Sequence, residues 1–230
     1  MQTMGHGVHR LSVGSNAYLI DGDEGMVLLD AGIPGRLPRI RDGLRAIGRD
    51  LEDLRAVLIT HAHPDHVGSA AAVVDAGGGP VCMSPADAAV ARGAAPLQPP
   101  PMMDLLAPLR RLFALAPKPD ALVVDHEVSE ADDSGLPQDW RVVETPGHTD
   151  GHLSFVLDRA GGLLFAGDAA MVSRRGRVVR GVFNARSRAV DASIARLAEH
   201  EFAAAYFGHG RPLTSGAAAA FRRYAESSPG

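Results

Sequence analysis

Residues 60–69 read THAHPDHVGS, which places three of the chain's ten histidines and an aspartate inside positions 61–66, directly behind the apolar run AVLI. RAVLIT reads as a buried strand, so this cluster hangs from a strand's C-terminal end. In an extended stretch alternate side chains point the same way, which pairs His61 with His63. Pro64 biases His63 away from helical geometry. Asp65 and His66 then fall where the next helix begins, turned toward a second direction. Chance clustering, a solvated loop and core histidines satisfied by backbone are the competing readings. The sharper one is a metal site, in which a single segment serves two adjacent ions. Imidazole with carboxylate suits zinc, and also iron or manganese.

One segment does not fill two coordination shells, and later strand ends supply more donors. VVETPGHTDGH sets His148 in a turn rich in Gly, Pro and Thr; GLLFAGDAA ends an apolar strand on Asp168; AAAYFGHG does the same with His209. An ionisable group at the end of a buried strand, flanked by glycine, is hard to justify by packing alone.

The rest of the pattern frames those ends. HRLSVG, NAYLID and GMVLLDAG are β-rich runs of an antiparallel meander. RLPRIRDGLRAIG carries Leu37, Ile40, Leu44 and Ile47 on one helical face. HVGSAAAVVDAGG reads as one helix with its stop signal, GPVCMSP as a strand and ADAAVARG as a short helix. After residue 119, ALVVDHEV, WRVVET, HLSFVLD, GLLFAGD and RVV read as strands. SRAVDASIARLAEH follows as a helix capped by Ser187, then a strand in FAAAYFGHG and a closing helix in SGAAAAFRRYAES. Two sets of strands, each followed by helices, predict an α/β fold of four layers, αββα. One domain over residues 1–230 is expected, interrupted at 93–119 by the partly helical insertion GAAPLQPPPMMDLLAPLRRLFALAPKP, where prolines 99–101 exclude regular structure and DLLAPLRRLFAL reads as a proline-containing helical segment.

Charge and cysteine usage narrow the setting. A net charge of −4 offers no basic field for nucleic acid, SRRGRVVRG at 173–181 being the best candidate for a local basic patch. Cys82 is the sole cysteine and excludes an intrachain disulfide, which fits a reducing compartment. The opening residues lack the pattern of a signal peptide and no apolar run reaches membrane-span length, so a cytoplasmic protein is expected. His6, His9, His126 (in a turn) and His200 are assigned to the surface, and Cys82 to the core.

THAHPDHVGS, TPGHTDGHLSF, LLFAGDA and YFGHG, with NAYLI and VLLDAG before them, resemble the successive signatures of the metallo-β-lactamase superfamily. The resemblance covers nearly the whole chain. It implies an αββα sandwich with a dinuclear centre, zinc first, at one edge. His61, His63 and His148 would hold the first metal, and Asp65, His66 and His209 the second, with Asp168 bridging. It implies a hydrolase in which a bridging hydroxide attacks an ester, thioester or lactone carbonyl, Asp65 or Asp168 relaying the proton. Asp30 and His152 are candidates for orienting these ligands.

Departures from the branches are informative. Class B β-lactamases usually lack the second-metal histidine and the bridging aspartate, both present here. Glyoxalase II adds a C-terminal helical domain, for which the 21 residues after His209 are too few. Lactonases of this fold place a tyrosine where Met171 stands, and mononuclear-iron persulfide dioxygenases a cysteine where His152 stands. The alternatives kept open are such a dioxygenase, a phosphodiesterase, and a non-catalytic binding protein. The expected partner is a small-molecule substrate, not nucleic acid or membrane. Met102, Met103, Leu105, Leu106 and Phe113 would cover the cleft as an apolar lid, pack a second copy in a homodimer, or simply fill core.

Overall fold

The computed structural model describes residues 1–22, 24–97 and 119–227. Residues 98–118, which include all the proposed lid residues, lie outside that set. Thirteen strands are described: β1 Gln2–Gly5, β2 Val8–Ser12, β3 Asn16–Gly22, β4 Gly25–Leu29, β5 Leu54–Leu58, β6 Val81–Met83, β7 His126–Glu127, β8 Trp140–Glu144, β9 Leu153–Leu157, β10 Leu163–Phe165, β11 Ala170–Val172, β12 Val178–Arg180 and β13 Ala204–Tyr206. The helices are α1 Leu37–Arg45, α2 Pro64–Val67, α3 Ala70–Asp75, α4 Pro85–Ala91, α5 Ser187–Leu197 and α6 Ala217–Ser227.

One sheet runs β1-β2-β3-β4-β5-β6-β7 and the other β13-β10-β9-β8, with β11 and β12 a separate hairpin. Strands β4, β5 and β6 are mutually parallel, as are β10 and β13. Strands covered on both faces read as unbroken apolar runs, and alternation then decides which layer each residue joins. In β3 and β4, Leu19, Met26 and Leu28 pack toward α1, α3 and α4, while Tyr18, Ile20, Val27 and Leu29 face the other sheet. In β9, β10 and β13, Phe155, Phe165 and Tyr206 return that contact, and Val156, Leu164 and Ala205 pack outward against α5 and α6. Three apolar layers between two sheets and two helical coats make the expected four-layer αββα sandwich.

Five local expectations need correction. The single helix over 66–78 is two helices, because Ser69 turns its hydroxyl to Ile33 O (2.7 Å) and accepts from Arg36 N (2.8 Å). A Cβ on Gly68 would lie 2.5 Å from the Pro34 ring, so the chain bends there to seat against that loop. ALVVDHEV is strand only at His126–Glu127, because its partner β6 is three residues long. His126 therefore sits on a strand, still exposed, not in a turn. Ser187 is the first helical residue of α5, and the cap position is Arg186, with no side-chain cap bond. The β1 and β11 strands are additional to those expected: β1 is mostly exposed at the sheet edge, and β11, though apolar, is only three residues long. Among the described residues no helix is long and apolar enough to cross a membrane.

Candidate metal centre

The seven candidate ligands meet at one edge of the sandwich, where strands of both sheets end. His61, His63, Asp65 and His66 follow β5, His148 follows β8, Asp168 follows β10 and His209 follows β13. C-terminal ends of strands are where open α/β sheets leave a crevice. Here the two sheets are stitched together at that edge. Leu153 N donates to Thr60 O (2.9 Å), Asn16 N to Gly208 O (2.7 Å) and Tyr18 Oη to Phe207 O (2.7 Å).

The donor atoms fall into overlapping groups. His148 Nε2 lies 3.2 Å from His61 Nε2 and 2.8 Å from His63 Nδ1. His209 Nε2 lies 3.0 Å from Asp65 Oδ2 and 3.4 Å from His66 Nε2. Asp168 stands between them, Oδ1 3.6 Å from His66 Nε2 and Oδ2 3.6 Å from His148 Nε2 and 3.4 Å from His209 Nε2. Three triads, His61/His63/His148, His61/His66/Asp168 and Asp65/His66/His209, each gather their donor atoms within 4.8 Å.

The residues fit cations. Asp168 Oδ1 is buried and has no hydrogen-bond partner among the described residues. Leaving a carboxylate oxygen buried and unmatched is costly, and a positive ion between the groups would relieve that cost. Gly208 makes the close approach feasible, since a Cβ there would stand 2.1 Å from Asp168 Oδ1 and 2.5 Å from His66 Cε1. Gly208→Ala is therefore expected to fold but to bind metal at least about 10-fold more weakly, as loss of ligand support does. Competition with a chromophoric chelator measures this, and an unchanged affinity would show that the carboxylate's position does not matter.

The hydrogen-bond network sets which nitrogen of each imidazole is free. Asp30, fully buried and with a left-handed φ of +58°, accepts from Thr60 N (2.9 Å) and from His66 Nδ1 (2.7 Å), leaving His66 Nε2 to face the cleft. The Thr60 hydroxyl donates to Asp30 (3.0 Å) and accepts from His61 Nδ1 (2.9 Å), which frees His61 Nε2. His148 Nδ1 donates to Asn184 Oδ1 (3.1 Å), with the amide fixed by Asn184 Nδ2 on Gly181 O (2.8 Å). His152 Nε2 accepts the Asp168 backbone N–H (3.0 Å) and its Nδ1 donates to Thr145 Oγ1 (2.8 Å). His152 thus holds the Asp168 turn and points no nitrogen into the cleft. Thr60 and Asn184 were not anticipated from sequence, because a threonine or asparagine beside a loop carries no signal of what its side chain reaches.

Charge separates the two groups. Burial drives His63 down to about 3 and His148 to about 4, and lowers His61 and His152 well below the usual histidine value, so these rings present lone pairs. Around His66 burial is opposed and outweighed by Asp168, Asp30 and Asp65, which push the ring up to about 10. The hydrogen bond that His209 donates to Asp65 also raises His209, and although burial acts to raise Asp65, that bond and the neighbouring imidazoles hold it well below the usual carboxylate range. The second group demands positive charge, which protons satisfy when no cation does.

The remaining histidines stand apart: His6 and His126 are exposed, His9 and His200 partly so. Cys82 is fully buried, and burial pushes its thiol up to about 12.

Residues 12–213 match the family model of the metallo-beta-lactamase superfamily. A probable metallo-hydrolase of Bacillus subtilis, YflN, is 29% identical, with 90% of this chain and 85% of that protein covered. A hydroxyacylglutathione hydrolase of Alkalilimnicola ehrlichii is 33% identical over 64% of this chain, which spans 44% of that relative's length. Among solved structures the MIM-2 metallo-beta-lactamase superposes with a TM-score of 0.71 at 26% identity, covering 96% of this chain and 83% of that one. Strand ends that gather this donor set, in a sandwich of this topology, and a family match over most of the length agree: the chain belongs to the metallo-beta-lactamase superfamily.

Proposed function

We propose that the protein is a dinuclear metallo-hydrolase, zinc its first-choice metal, that cleaves an ester, thioester or lactone of a small molecule. The observation that carries this reading is the orphaned Asp168 oxygen lodged between two imidazole groups. His61, His63 and His148 would hold one ion, Asp65, His66 and His209 the other, and Asp168 would touch both. When bound, two divalent cations supply Lewis acidity, acidifying water and polarising the scissile carbonyl. The relatives named metallo-hydrolase and hydroxyacylglutathione hydrolase support hydrolysis.

The side chains divide the remaining work. Asp65 keeps 35% of its side chain exposed against 8% for Asp168, so Asp65 is the carboxylate that a leaving group reaches. Its carboxylate takes a proton from the attacking water and passes it to the departing oxygen or sulfur. His61, His66 and His148 keep fixed tautomers because Thr60, Asp30 and Asn184 occupy their other nitrogens.

The test is metal content followed by a substrate panel. Purified protein should carry about two metals per chain. Lactones, thioesters, aryl esters, phosphodiesters and a β-lactam are then assayed with zinc, manganese and iron, with His63→Ala as the inactive control. Carbonyl-ester turnover lost in His63→Ala supports the reading. One iron per chain with thiol oxidation, phosphodiester or β-lactam preference, or no metal uptake would each overturn it.

A further inference from the structure

Asp87 is buried, yet its carboxylate has no ion-pair partner among the described residues. It reaches three donors on two different loops. Oδ2 accepts from Ala62 N (2.8 Å) and Thr149 Oγ1 (2.8 Å), and Oδ1 from Gly151 N (3.1 Å). Ala62 lies between His61 and His63, while Thr149 and Gly151 follow His148. In sequence Asp87 looks like part of a helix cap: Ser84 caps α4 and accepts from Asp87 N (3.2 Å). A capping box would turn the acidic side chain back to the cap residue's N–H. Here it turns instead into the gap between the two loops.

The fit is tight. A Cβ on Gly151 would fall 2.3 Å from Ser84 Oγ and 2.7 Å from Asp87 Oδ1, so only glycine lets that loop approach the carboxylate. Burial raises the Asp87 carboxyl above its usual range, and the bonds from Thr149, Ala62 and Gly151 offset only part of that rise. An apolar residue would fill the space at lower cost in desolvation, so packing alone does not account for an acid here.

We infer that Asp87 is a positioning residue for the His61/His63/His148 half of the centre, locking the two loops that carry those imidazoles into one register. This rests on the metallo-hydrolase reading of the same site. Asp30 holds the His66 ring directly and the His61 ring through Thr60, whereas Asp87 acts on the backbone of the loops that carry His61, His63 and His148. A glutamate would be a methylene too long for the gap that Gly151 leaves. An asparagine would set its NH2 against Ala62 N–H or Gly151 N–H whichever way it turned, releasing one loop while keeping the side chain's shape.

The experiment uses cobalt(II) in place of zinc, read by its visible ligand-field spectrum, and zinc affinity by chelator competition. Asp87→Asn and Gly151→Ala, which strike the joint from opposite sides, should each weaken zinc binding about 10–100-fold and shift the cobalt bands. Thr149→Val, which spares both backbone tethers, should do the same to a smaller degree. Leu44→Ala, a buried change on the far side of the first sheet, should lower the melting temperature without moving the bands. The inference is overturned if Asp87→Asn leaves spectrum and affinity as in the wild type, or if Leu44→Ala moves them equally. A wild-type chain that takes up no cobalt removes the hydrolase reading first, and this one with it.

Discussion

Asp168→Ala should abolish turnover and cost more metal affinity than the roughly 10–100-fold of a supporting residue. The reason lies in where its two oxygens stand. Oδ1 faces His66 and Oδ2 faces His148 and His209, so the carboxylate lies against both halves. Alanine removes the negative charge shared by the two proposed cations and leaves five imidazoles and one carboxylate to hold four positive charges. Asp168→Asn is the sharper variant, since it keeps the shape and the backbone bond to His152 while deleting the charge. It should retain at most one metal per chain by elemental analysis and show no hydrolysis. An Asp168→Asn protein with two metals and normal rates would contradict the bridging role.

The second large effect is thermal. Ligands that bind only the folded state stabilise it by about 4 kcal/mol when free metal is about 1,000 times its dissociation constant. For a chain of this size each kcal/mol moves the midpoint by about 2–4 °C. Zinc-loaded protein should therefore melt about 8–16 °C above protein stripped with a chelator, and re-addition of zinc should restore the difference. The structural cause is the same orphaned carboxylate oxygen, together with the His61 and His63 imidazoles crowded nitrogen to nitrogen against His148. Identical melting curves with and without chelator would mean that these groups are satisfied without a cation.

Much of this site could be read from the chain because histidine and aspartate at strand ends are conspicuous against apolar runs. His61, His63, Asp65 and His66 announce themselves by spacing, and His148, Asp168 and His209 by standing next to glycine where a buried strand stops. The layer order was readable for a related reason: unbroken apolar strands imply cover on both faces, and helices with one apolar face supply it. Local breaks were less visible. The helix after His66 divides at Gly68–Ser69 because of contacts to Pro34, Ile33 and Arg36, which are about thirty-three residues away along the chain.

Residue type and period are properties of the chain, and they determined the sandwich, its strand-end cluster and the chemistry of its donors. Which nitrogen each imidazole presents, and which loops are held together, depends on partners brought near only by folding. Asp30 meets His66, Asn184 meets His148, and Asp87 meets both Ala62 and Gly151 across sequence gaps of 25 to 64 residues. A hydrogen bond acts over about 3 Å, so nothing in the order of residues announces those pairings; the tertiary structure alone decided them.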